Sequence, residues 1–472
     1  MRAPPSFQGS TAHLNLGQRF FQPVTAAEFP RHDLRFRNHR WADRVGFQDW
    51  DTQRWVRHCG QFEALENSLP EPLALAYHGH QFHHYNPDLG DGRGFLFAQL
   101  TDPVNGRLLD LGTKGSGRTP WSRAGDGRLT LKGAVREILA TEMLEALGVD
   151  TSKTFSVIET GEALVRGDEP SPTRSAVLVR LSHGHVRIGS FQRLARQGDQ
   201  GAIETLLRHC AKYYFPDLDP DLPNAPLALG LLRRVVEATA ATAAAWSAAG
   251  FVHGVLNTDN INITGESFDY GPWRFLAHMD PEFTAAYFDD FGLYAFGKQP
   301  QAVLWNVSRL AECFSPFVDQ PNLSGALAEF DPAFNRALNA ALSRRLGLTA
   351  QDGQRLDLGR RLLPALDGAK VPFEQVFFDC YGAHAAVRKK AAQATYANTP
   401  LAAVVADIAA TAPAPGITPD HGYFHQNAPC TMLIEEVEHI WDAIAQNDDW
   451  SRLDAKLNAI KIMREAYATA PT

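Results

Sequence analysis

A polar stretch directly after a long alanine-rich helix pattern most constrains what this chain can fold into. Residues 252–275 read VHGVLNTDNINITGESFDYGPWRF. Asp259 is followed at once by Asn260, and Asp269 comes ten residues after Asp259, within an Asp-Tyr-Gly tripeptide. Carboxylate and amide oxygens are ligands that Mg²⁺ accepts beside the phosphates of a nucleotide. The stretch therefore predicts a site for a magnesium-bound nucleotide.

Protein kinases use a similar set: a catalytic-loop Asp, an Asn for one metal ion, and the Asp of Asp-Phe-Gly. The set is compressed here, because Asn260 directly follows Asp259 and Tyr270 stands in place of the Phe. Asn and Asp are also common in turns, so Asn-Thr-Asp-Asn alone would indicate a turn. The preceding helix pattern, a His-Gly pair and the spaced Asp269 together favour the metal–nucleotide site.

Upstream patterns follow the order of a kinase small lobe. The runs GFLFAQL, RLLDLGTKGSG, TFSVIETG and SAVLVRL have strand character. Glycine-rich loops occur at 90–94 and 115–128, and Lys114 lies at the end of the second strand run. The helix pattern LTLKGAVREILATEMLEALG carries Glu137. A kinase needs a cation to hold phosphates and an acid to orient that cation, and Lys114 with Glu137 provides such a pair.

Two arginines form a separate signal. Arg180 ends the last strand run, and Arg187 lies seven residues on, in HVRIGSF. A planar guanidinium can bind phosphate oxygens in a bidentate way, so the two favour phosphate binding beside a nucleotide. The alternative, a surface ion pair and a stem packed on the sheet, stays open at this point.

The order of strand and helix patterns predicts an α+β fold. The chain is predicted to divide into four parts. An irregular N-terminal arm (1–74), with a short helix over 61–72, packs on the body. A nucleotide-binding small lobe (75–197), a helical large lobe (198–320) and a helical C-terminal extension (321–472) follow. Residues 411–429, TAPAPGITPDHGYFHQNAP, form the stretch expected to be least ordered.

Composition limits the classes of function. Hydrophobic residues make up 44% of the 472 residues, enough for a large core, and the net charge of −8 argues against a nucleic-acid partner. No run reaches the ~18 apolar residues of a membrane span. The five cysteines are scattered and odd in number, which favours a reducing cytoplasm. Four histidines at 78–84 suggest zinc, but their tight, irregular spacing favours a hydrogen-bonding loop.

Several long motifs in a fixed order now carry a family resemblance. They are YHGHQFHHYNPDLGDGRG, DLGTKGSGRTPWSRAGDGR, GAVREILATEMLEALG, VLVRLSHGHVRIGSF and VHGVLNTDNINITGESFDYGPW, and together they cover about 75–275. The chain resembles the SelO (selenoprotein O) pseudokinase family of protein adenylyltransferases. That resemblance implies a kinase-like bilobal fold that holds ATP flipped, so that AMP passes to Ser, Thr or Tyr hydroxyls of proteins.

The resemblance also implies a role for each matching residue. Gly90, Gly92 and Arg93 would line the nucleotide, with Asp126 and Gly127 of the second glycine loop also touching ATP. Lys114 would hold phosphate with Glu137 orienting it, and Arg180 and Arg187 would clamp the phosphates. Asp259 would be the base towards the acceptor hydroxyl, and Asn260 and Asp269 would bind Mg²⁺, or Mn²⁺ in its place, with Asp269 also close to ATP.

Three departures and three alternatives accompany the resemblance. His83 stands where the family usually has a glycine after Gly-His-Gln-Phe, the N-terminal arm matches poorly, and the C-terminal region lacks the family's usual Asn-Pro…Leu-Arg-Asn-Tyr type of segment. Kinase-type transfer of the γ-phosphate would use the same metal ligands. A non-catalytic ATP-binding scaffold is a further alternative. Such a module could afford to lose Asp259, so the presence of this residue argues against it. UTP as the nucleotide donor is also left open by the sequence.

Overall fold

The computed structural model describes residues 6–167, 169–382 and 386–468, with the side chains of 386–389 excepted. It shows a mixed α/β architecture with an antiparallel sheet and many helices. The strands of the described residues are β1 (Gly9–Ser10), β2 (Phe21–Pro23), β3 (Asp33–Arg37), β4 (Leu73–Leu75), β5 (Gly79–Gln81), β6 (His84–Asn86), β7 (Leu96–Thr101), β8 (Leu108–Lys114), β9 (Leu129–Thr130), β10 (Lys153–Leu164), β11 (Thr173–Ser182), β12 (Phe251–Val252) and β13 (Arg274–Phe275).

The main sheet runs in the order β2-β4-β7-β8-β11-β10-β3, with β1 paired to β7 and β9 to β11. Its central strands are buried on both faces, so they read as nearly continuous apolar runs. Alternate residues of β11 enter different cores: Leu178 packs with the helices, whereas Val177 and Val179 pack with the N-terminal segment. The four strand runs expected between 94 and 182 are confirmed as β7, β8, β10 and β11.

The N-terminal arm is more regular than expected. It provides β1, β2 and β3 to the main sheet and forms helices α1 (His39–Arg44) and α2 (Thr52–Cys59). Trp55 stacks on Phe155 of β10 with ring centroids 5.0 Å apart, so the arm covers the second face of the sheet. These strands span only two to five residues, too short to show a strand period in the sequence.

The helix expected over 61–72 is wrong. The backbone there forms turns, and Phe62 and Asn67 have φ of +59° and +56°, which a right-handed helix does not allow. Pro70 and Pro72 add a second obstacle, since proline lacks the amide hydrogen that a helix needs.

The helices after the first strands are α3 (Leu131–Ala146), α4 (Ile188–Arg196), α5 (Gln200–Tyr214), α6 (Asn224–Ala249), α7 (Gln299–Cys313), α8 (Gln320–Leu327), α9 (Phe330–Arg345), α10 (Ala350–Leu356), α11 (Leu358–Ala369), α12 (Phe373–Cys380), α13 (Ala386–Tyr396), α14 (Ala402–Ala410), α15 (Ile434–Asn447) and α16 (Ser451–Tyr467). Short 3₁₀ turns cover Ala12–Leu16, Thr258–Asn260, Phe296–Lys298 and Gly422–His425. No helix in the described ranges is long and apolar enough to cross a membrane.

Helix α3 is the helix predicted to carry Glu137, and it lies against the main sheet. Thr130 caps its first turn by accepting a hydrogen bond from the Gly133 amide at 3.1 Å. The C-terminal helices hold its outer side: Lys132 Nζ lies 2.6 Å from Glu438 Oε2 of α15, and Arg464 of α16 pairs with Glu142. The position of Glu137 therefore depends on residues about 300 positions further along the chain.

Residues 411–429 are packed rather than poorly ordered. Tyr423 and Phe424 are buried, and the Phe424 ring stacks on Tyr381 at 4.3 Å between centroids. Proline and glycine limit regular structure there, but the two aromatic side chains anchor the segment to the core. The division of the chain into two lobes and the domain limits stay predictions.

Candidate active site

A cavity of about 630 Å³ opens beside the ends of β8 and β11. Ten of the twelve residues singled out in the sequence line it: Gly90, Gly92, Arg93, Lys114, Asp126, Gly127, Arg180, Arg187, Asp259 and Asp269. The other two, Glu137 and Asn260, each contact a residue of the lining. Glu137 pairs with Lys114, and the Asn260 amide donates to Asp269 Oδ2 at 3.1 Å.

Strand pairing explains why the cations meet. Strand β8 lies antiparallel to β11, with Gly112 opposite Arg180 and Lys114 opposite Leu178. Residues two apart on a strand, and residues directly opposite each other, share a face of the sheet. Lys114 and Arg180 therefore both point to the face that α3 covers, and Glu137 of α3 reaches Lys114 there in a buried ion pair.

Asp269 is the carboxylate on which the cations converge. Its Oδ1 lies 3.2 Å from Lys114 Nζ and 3.4 Å from Arg180 Nη1, and its Oδ2 lies 3.8 Å from Arg187 Nη1. Burial alone would raise the pKa of Asp269, but Lys114, followed by Arg180 and Arg187, holds it well below its usual range. Asp269 is therefore ionised at neutral pH. Its φ of +64° is uncommon for a residue other than glycine and fixes the direction of the side chain.

Asp259 has the opposite electrostatic environment. It is buried in the 3₁₀ turn Thr258–Asn260, and its Oδ1 has no hydrogen-bond partner. Burial raises the pKa of Asp259 to about 6, with Arg187 opposing and Asp269 adding to the shift. Arg187 Nη1 donates to the backbone oxygen of Asp259 at 2.9 Å, so the guanidinium holds the loop rather than the carboxylate. One carboxylate at this site is neutralised by cations and the other is poised to take a proton.

The two glycine loops pack on each other at the cavity wall. Ser122 Oγ donates to the Gly92 carbonyl at 2.6 Å. A Cβ atom at Gly90 would lie 2.4 Å from the Trp121 ring, so only glycine fits there. Gly127 has φ +71° and lies against Gly117, where a side chain would collide with the backbone. These glycines are required by close packing between the two loops.

Five charged residues of the cavity were not predicted: Asp88, Asp91, Arg123, Arg128 and Arg166. Asp91 Oδ1 lies 3.3 Å from Arg187 Nη2, and Arg166 Nη1 lies 2.8 Å from Asp126 Oδ2. Asp91, Arg123 and Arg128 belong to the glycine loops, so loop membership was a usable signal. Arg166 comes from the turn between β10 and β11, and the sequence gives no sign that this turn reaches the cavity.

A buried chain of polar groups supports Arg180 from behind. The Arg180 Nε group donates to His185 Nε2 at 3.3 Å, and His185 Nδ1 lies 3.2 Å from Asp110 Oδ2. Burial lowers the pKa of His185, so the ring is neutral, with Nδ1–H donating to Asp110 and Nε2 accepting from Arg180. A Cβ at Gly112 would lie 2.2 Å from His185 Nε2, so this glycine provides the space for the ring.

The hairpin β5–β6 covers the loop that carries Asp259. His80 N donates to Thr258 Oγ1 at 2.7 Å, and Phe82 N donates to Asn257 Oδ1 at 3.1 Å. Phe82 and His83 form its two-residue turn with φ of +47° and +67°, the geometry of a type I′ turn. Glycine at position 83, usual in the resembled family, suits that φ. His83 is held there by stacking on Trp305, with ring centroids 4.1 Å apart.

Two of the four histidines at 78–84 have side-chain hydrogen-bond partners. His78 Nδ1 lies 2.7 Å from Tyr85 Oη, and His80 Nδ1 lies 2.7 Å from Gln192 Nε2. Both contacts fit the hydrogen-bonding loop that the spacing favoured over a zinc site.

The residues present fit a hard divalent cation bound together with a nucleotide. Among the described residues, no group of three or more His, Cys, Asp or Glu side chains could hold a metal by itself. Mg²⁺ typically takes one or two carboxylates and completes its shell with phosphates and water, so a large protein cage is not required. Asn260 and Asp269 share a hydrogen bond, and the unpartnered Oδ1 of Asp259 lies on the same loop.

Comparison with known proteins agrees with this chemistry. A sequence model of the family described as protein adenylyltransferase SelO matches residues 6–461. A protein nucleotidyltransferase YdiU of Synechocystis sp. is 40% identical over 453 residues, covering 92% of this chain and 94% of the relative. Proteins of the same name from Gloeobacter violaceus (40% identical over 478 residues, 97% and 95% coverage) and Trichodesmium erythraeum (46% over 339 residues, 70% and 70%) also match. The chain therefore belongs to the protein adenylyltransferase SelO family.

Proposed function

We propose that this protein transfers AMP from ATP to Ser, Thr or Tyr hydroxyls of other proteins and releases pyrophosphate. The observation that carries the proposal is the convergence, in one cavity, of residues from both glycine loops, β8, β11 and the Asp259–Asp269 segment. The proposal includes a kinase-like bilobal arrangement, with 75–197 and 198–320 as the two lobes, flanked by 1–74 and 321–472.

The charge balance of the cavity supports a polyanionic ligand. Seven cations line it: Arg93, Lys114, Arg123, Arg128, Arg166, Arg180 and Arg187. Five acids line it: Asp88, Asp91, Asp126, Asp259 and Asp269. Lys114 would bind phosphate oxygens as a point charge, and Arg180 and Arg187 would bind them through planar guanidinium groups. Two such arginines beside the lysine give more phosphate binding than a kinase small lobe needs, which favours ATP held flipped, with its α-phosphate towards Asp259.

Asp259 would accept the proton of the attacking hydroxyl. Its pKa of about 6 keeps it ionised at neutral pH yet closer to the working pH than that of an ordinary Asp, which suits a general base. Its unpartnered Oδ1 would accept the hydrogen bond of the incoming hydroxyl. Asn260 and Asp269 would hold Mg²⁺ or Mn²⁺, which when bound neutralises charge on the phosphates. Glu137 would keep Lys114 oriented through their buried ion pair.

Two labelled forms of ATP test the proposal, one labelled at the α-phosphate and one at the γ-phosphate. Each is incubated with the protein, Mg²⁺ and a generic protein acceptor, with the Asp269→Ala variant as control. We expect label on the acceptor only from the α position, and none with the variant. Transfer only from the γ position would make the protein a kinase, and ATP binding without transfer would make it a scaffold. Repeating the α-label assay with UTP decides the donor.

A further inference from the structure

Three aromatic side chains are exposed within one short segment near the cavity. Tyr287, Phe288 and Phe291 are 85%, 46% and 93% exposed. In the part of the chain that the structure describes, they account for three of the five large exposed hydrophobic residues, the others being Val104 and Val165. We call Tyr287, Phe288 and Phe291 the aromatic patch. Clustered exposed apolar residues of this kind mark interaction sites more often than single ones do.

An ordered turn presents the aromatic patch to solvent. Asp289, between the aromatic residues, is buried and accepts hydrogen bonds from the amides of Leu293 and Tyr294, both at 2.8 Å. Burying a carboxylate requires such compensation, so these bonds fix the segment. The exposure of the rings is therefore a property of a defined conformation rather than of a loose loop.

The aromatic patch is connected to Asp259 through the hairpin β5–β6. At one end of the hairpin, a Cβ at Gly79 would lie 3.3 Å from Asp259 Oδ1. At its turn, the Phe82 ring lies 5.9 Å from Phe288 and 5.0 Å from Tyr294. Gly79 and Phe82 are three residues apart, and a strand rises ~3.3 Å per residue, so this part of the hairpin spans about 10 Å. With the further 5.9 Å from the Phe82 ring to Phe288, the patch begins roughly 10–16 Å from the Asp259 carboxylate.

The segment that carries the aromatic patch exposes three acids, Asp280, Glu282 and Asp290. Lys298 is the cation beside it: its Nζ lies 3.8 Å from Glu282 and would lie 3.6 Å from a Cβ at Gly292. A partner with lysine or arginine beside an apolar side chain complements this surface, and such complementarity favours a correct encounter.

The size of the aromatic patch suits a transient partner. A fully covered aromatic side chain buries about 150–250 Å², and Phe288 is already half covered. The patch therefore offers less than the ~800 Å² per partner of a standard stable interface. This area favours a brief encounter with an acceptor protein over a permanent dimer of this chain.

We propose that the aromatic patch is the docking surface for the acceptor protein. It binds an extended segment with a large apolar side chain about three to five residues from the acceptor hydroxyl and with lysine or arginine nearby. The spacing follows from the roughly 10–16 Å between patch and Asp259, because an extended chain advances ~3.3 Å per residue. This inference rests on the proposed function, since it names the acceptor that the cavity serves.

The test uses a double variant, Tyr287→Ser with Phe291→Ser, and the matched control Val104→Ser, whose side chain is 68% exposed on the turn between β7 and β8. Phe288 is retained because its ring packs against Phe82. Peptides carry one Ser, flanking Lys, and one Phe placed one to six residues from the Ser; a further peptide lacks the Phe. Transfer of α-label and peptide binding by fluorescence anisotropy are both measured.

We expect wild-type protein and Val104→Ser to show the lowest KM for the peptides with Phe about three to five residues from the Ser. The double variant should raise that KM tenfold or more, with kcat and ATP binding changed less than twofold. For the peptide without Phe, all three proteins should behave alike.

An unchanged KM for the Phe peptides in the double variant would overturn the inference. Two other results would also overturn it. If the wild type sediments as a dimer and the double variant as a monomer, the occupant is a second copy of this chain. If the wild type binds anionic lipid vesicles and the double variant does not, the occupant is a membrane. Anisotropy separates this inference from the proposed function. If no peptide accepts label but Phe peptides still bind the wild type more tightly than the double variant, the docking surface stands and the assigned reaction fails.

Discussion

Two of the places where the protein buries charge differ in whether the charges are matched. In the cavity, Lys114, Arg180 and Arg187 all converge on Asp269, while Asp259 Oδ1 lacks a partner. In the helical region, Arg345 of α9 pairs with Glu374 of α12, donates to the Ala248 carbonyl at 2.7 Å and lies 4.0 Å from the Phe377 ring centroid.

The difference separates structural charge from functional charge. The Arg345–Glu374 pair is one cation with one anion, and neither lines the cavity, so the pair fixes how helices pack. The cavity is instead lined by more cations than acids and holds one carboxylate oxygen without a partner, an arrangement typical of functional sites. Variants of the two sites should therefore separate loss of activity from loss of stability.

The largest effect is expected from Asp259→Asn. The variant removes the proton acceptor, and general-base catalysis typically contributes 10²–10⁴-fold, so kcat for α-label transfer should fall by about that factor. Its melting temperature should be equal to or higher than that of the wild type, because a buried carboxylate whose Oδ1 has no partner is replaced by a neutral amide. Transfer within tenfold of the wild type would refute the assigned role.

Breaking the matched pair should give the reverse result. Glu374→Leu leaves the Arg345 guanidinium buried without its anion, and we expect about 3–5 kcal/mol lower free energy of unfolding. The double variant Arg345→Met with Glu374→Leu should recover most of that loss, since it leaves neither charge. Activity per folded molecule should stay the same in both. A lowered kcat in correctly folded double variant would show that the helical region acts on the cavity.

An intermediate effect is expected from Asp110→Asn, which weakens the support of Arg180 through His185. We expect KM for ATP to rise about tenfold, because Arg180 loses its fixed orientation while its charge remains. The matched control is Asp102→Asn, which weakens the pair between this buried carboxylate, just after β7, and Arg44 of α1, away from the cavity. If the control variant raises KM for ATP equally, the change comes from lower stability of the protein and not from lost support of Arg180.

The smallest effect concerns acid sensitivity. Burial lowers the pKa of His209 to about 3, from an unfolded value near 6.5. The folded state therefore holds this ring neutral, and stability is lost as the pH falls below about 6.5, because the unfolded chain takes up the proton. The loss approaches about 2 kcal/mol at pH 5. His209→Phe should flatten the fall in Tm between pH 7 and 5, and an unchanged slope would contradict the assignment.

Sequence patterns were informative where local order reflects function. Lys114 and Glu137 lie 23 positions apart, on a strand and the following helix, and the kinase-like order of elements was enough to pair them. Asn260 and Asp269 were predicted from their spacing and share a hydrogen bond. Gly90 and Gly127 line the cavity, and close packing between the two loops requires glycine at both positions.

Contacts between distant segments were not predictable in the same way. His185 contacts Asp110, which lies 75 positions earlier in the chain. Both residues are polar, and the sequence pattern does not distinguish such buried polar residues from exposed ones. The turn at Phe82–His83 lacks the Asn-Gly signal of its turn type, since neighbouring aromatic rings hold it instead. The N-terminal strands were missed because pairing with β4, β7 and β10, rather than their own short sequences, defines them.

The bracing of α3 by α15 and α16 has a consequence for control of the enzyme. In protein kinases, activity is switched by moving the helix whose Glu pairs with the lysine. Here the corresponding helix, α3, forms ion pairs with the C-terminal helices: Lys132 pairs with Glu438 and Glu142 pairs with Arg464. Lys114 and Glu137 are thus already paired in the folded chain. A kinase-like displacement of α3 would have to break its contacts with both C-terminal helices as well.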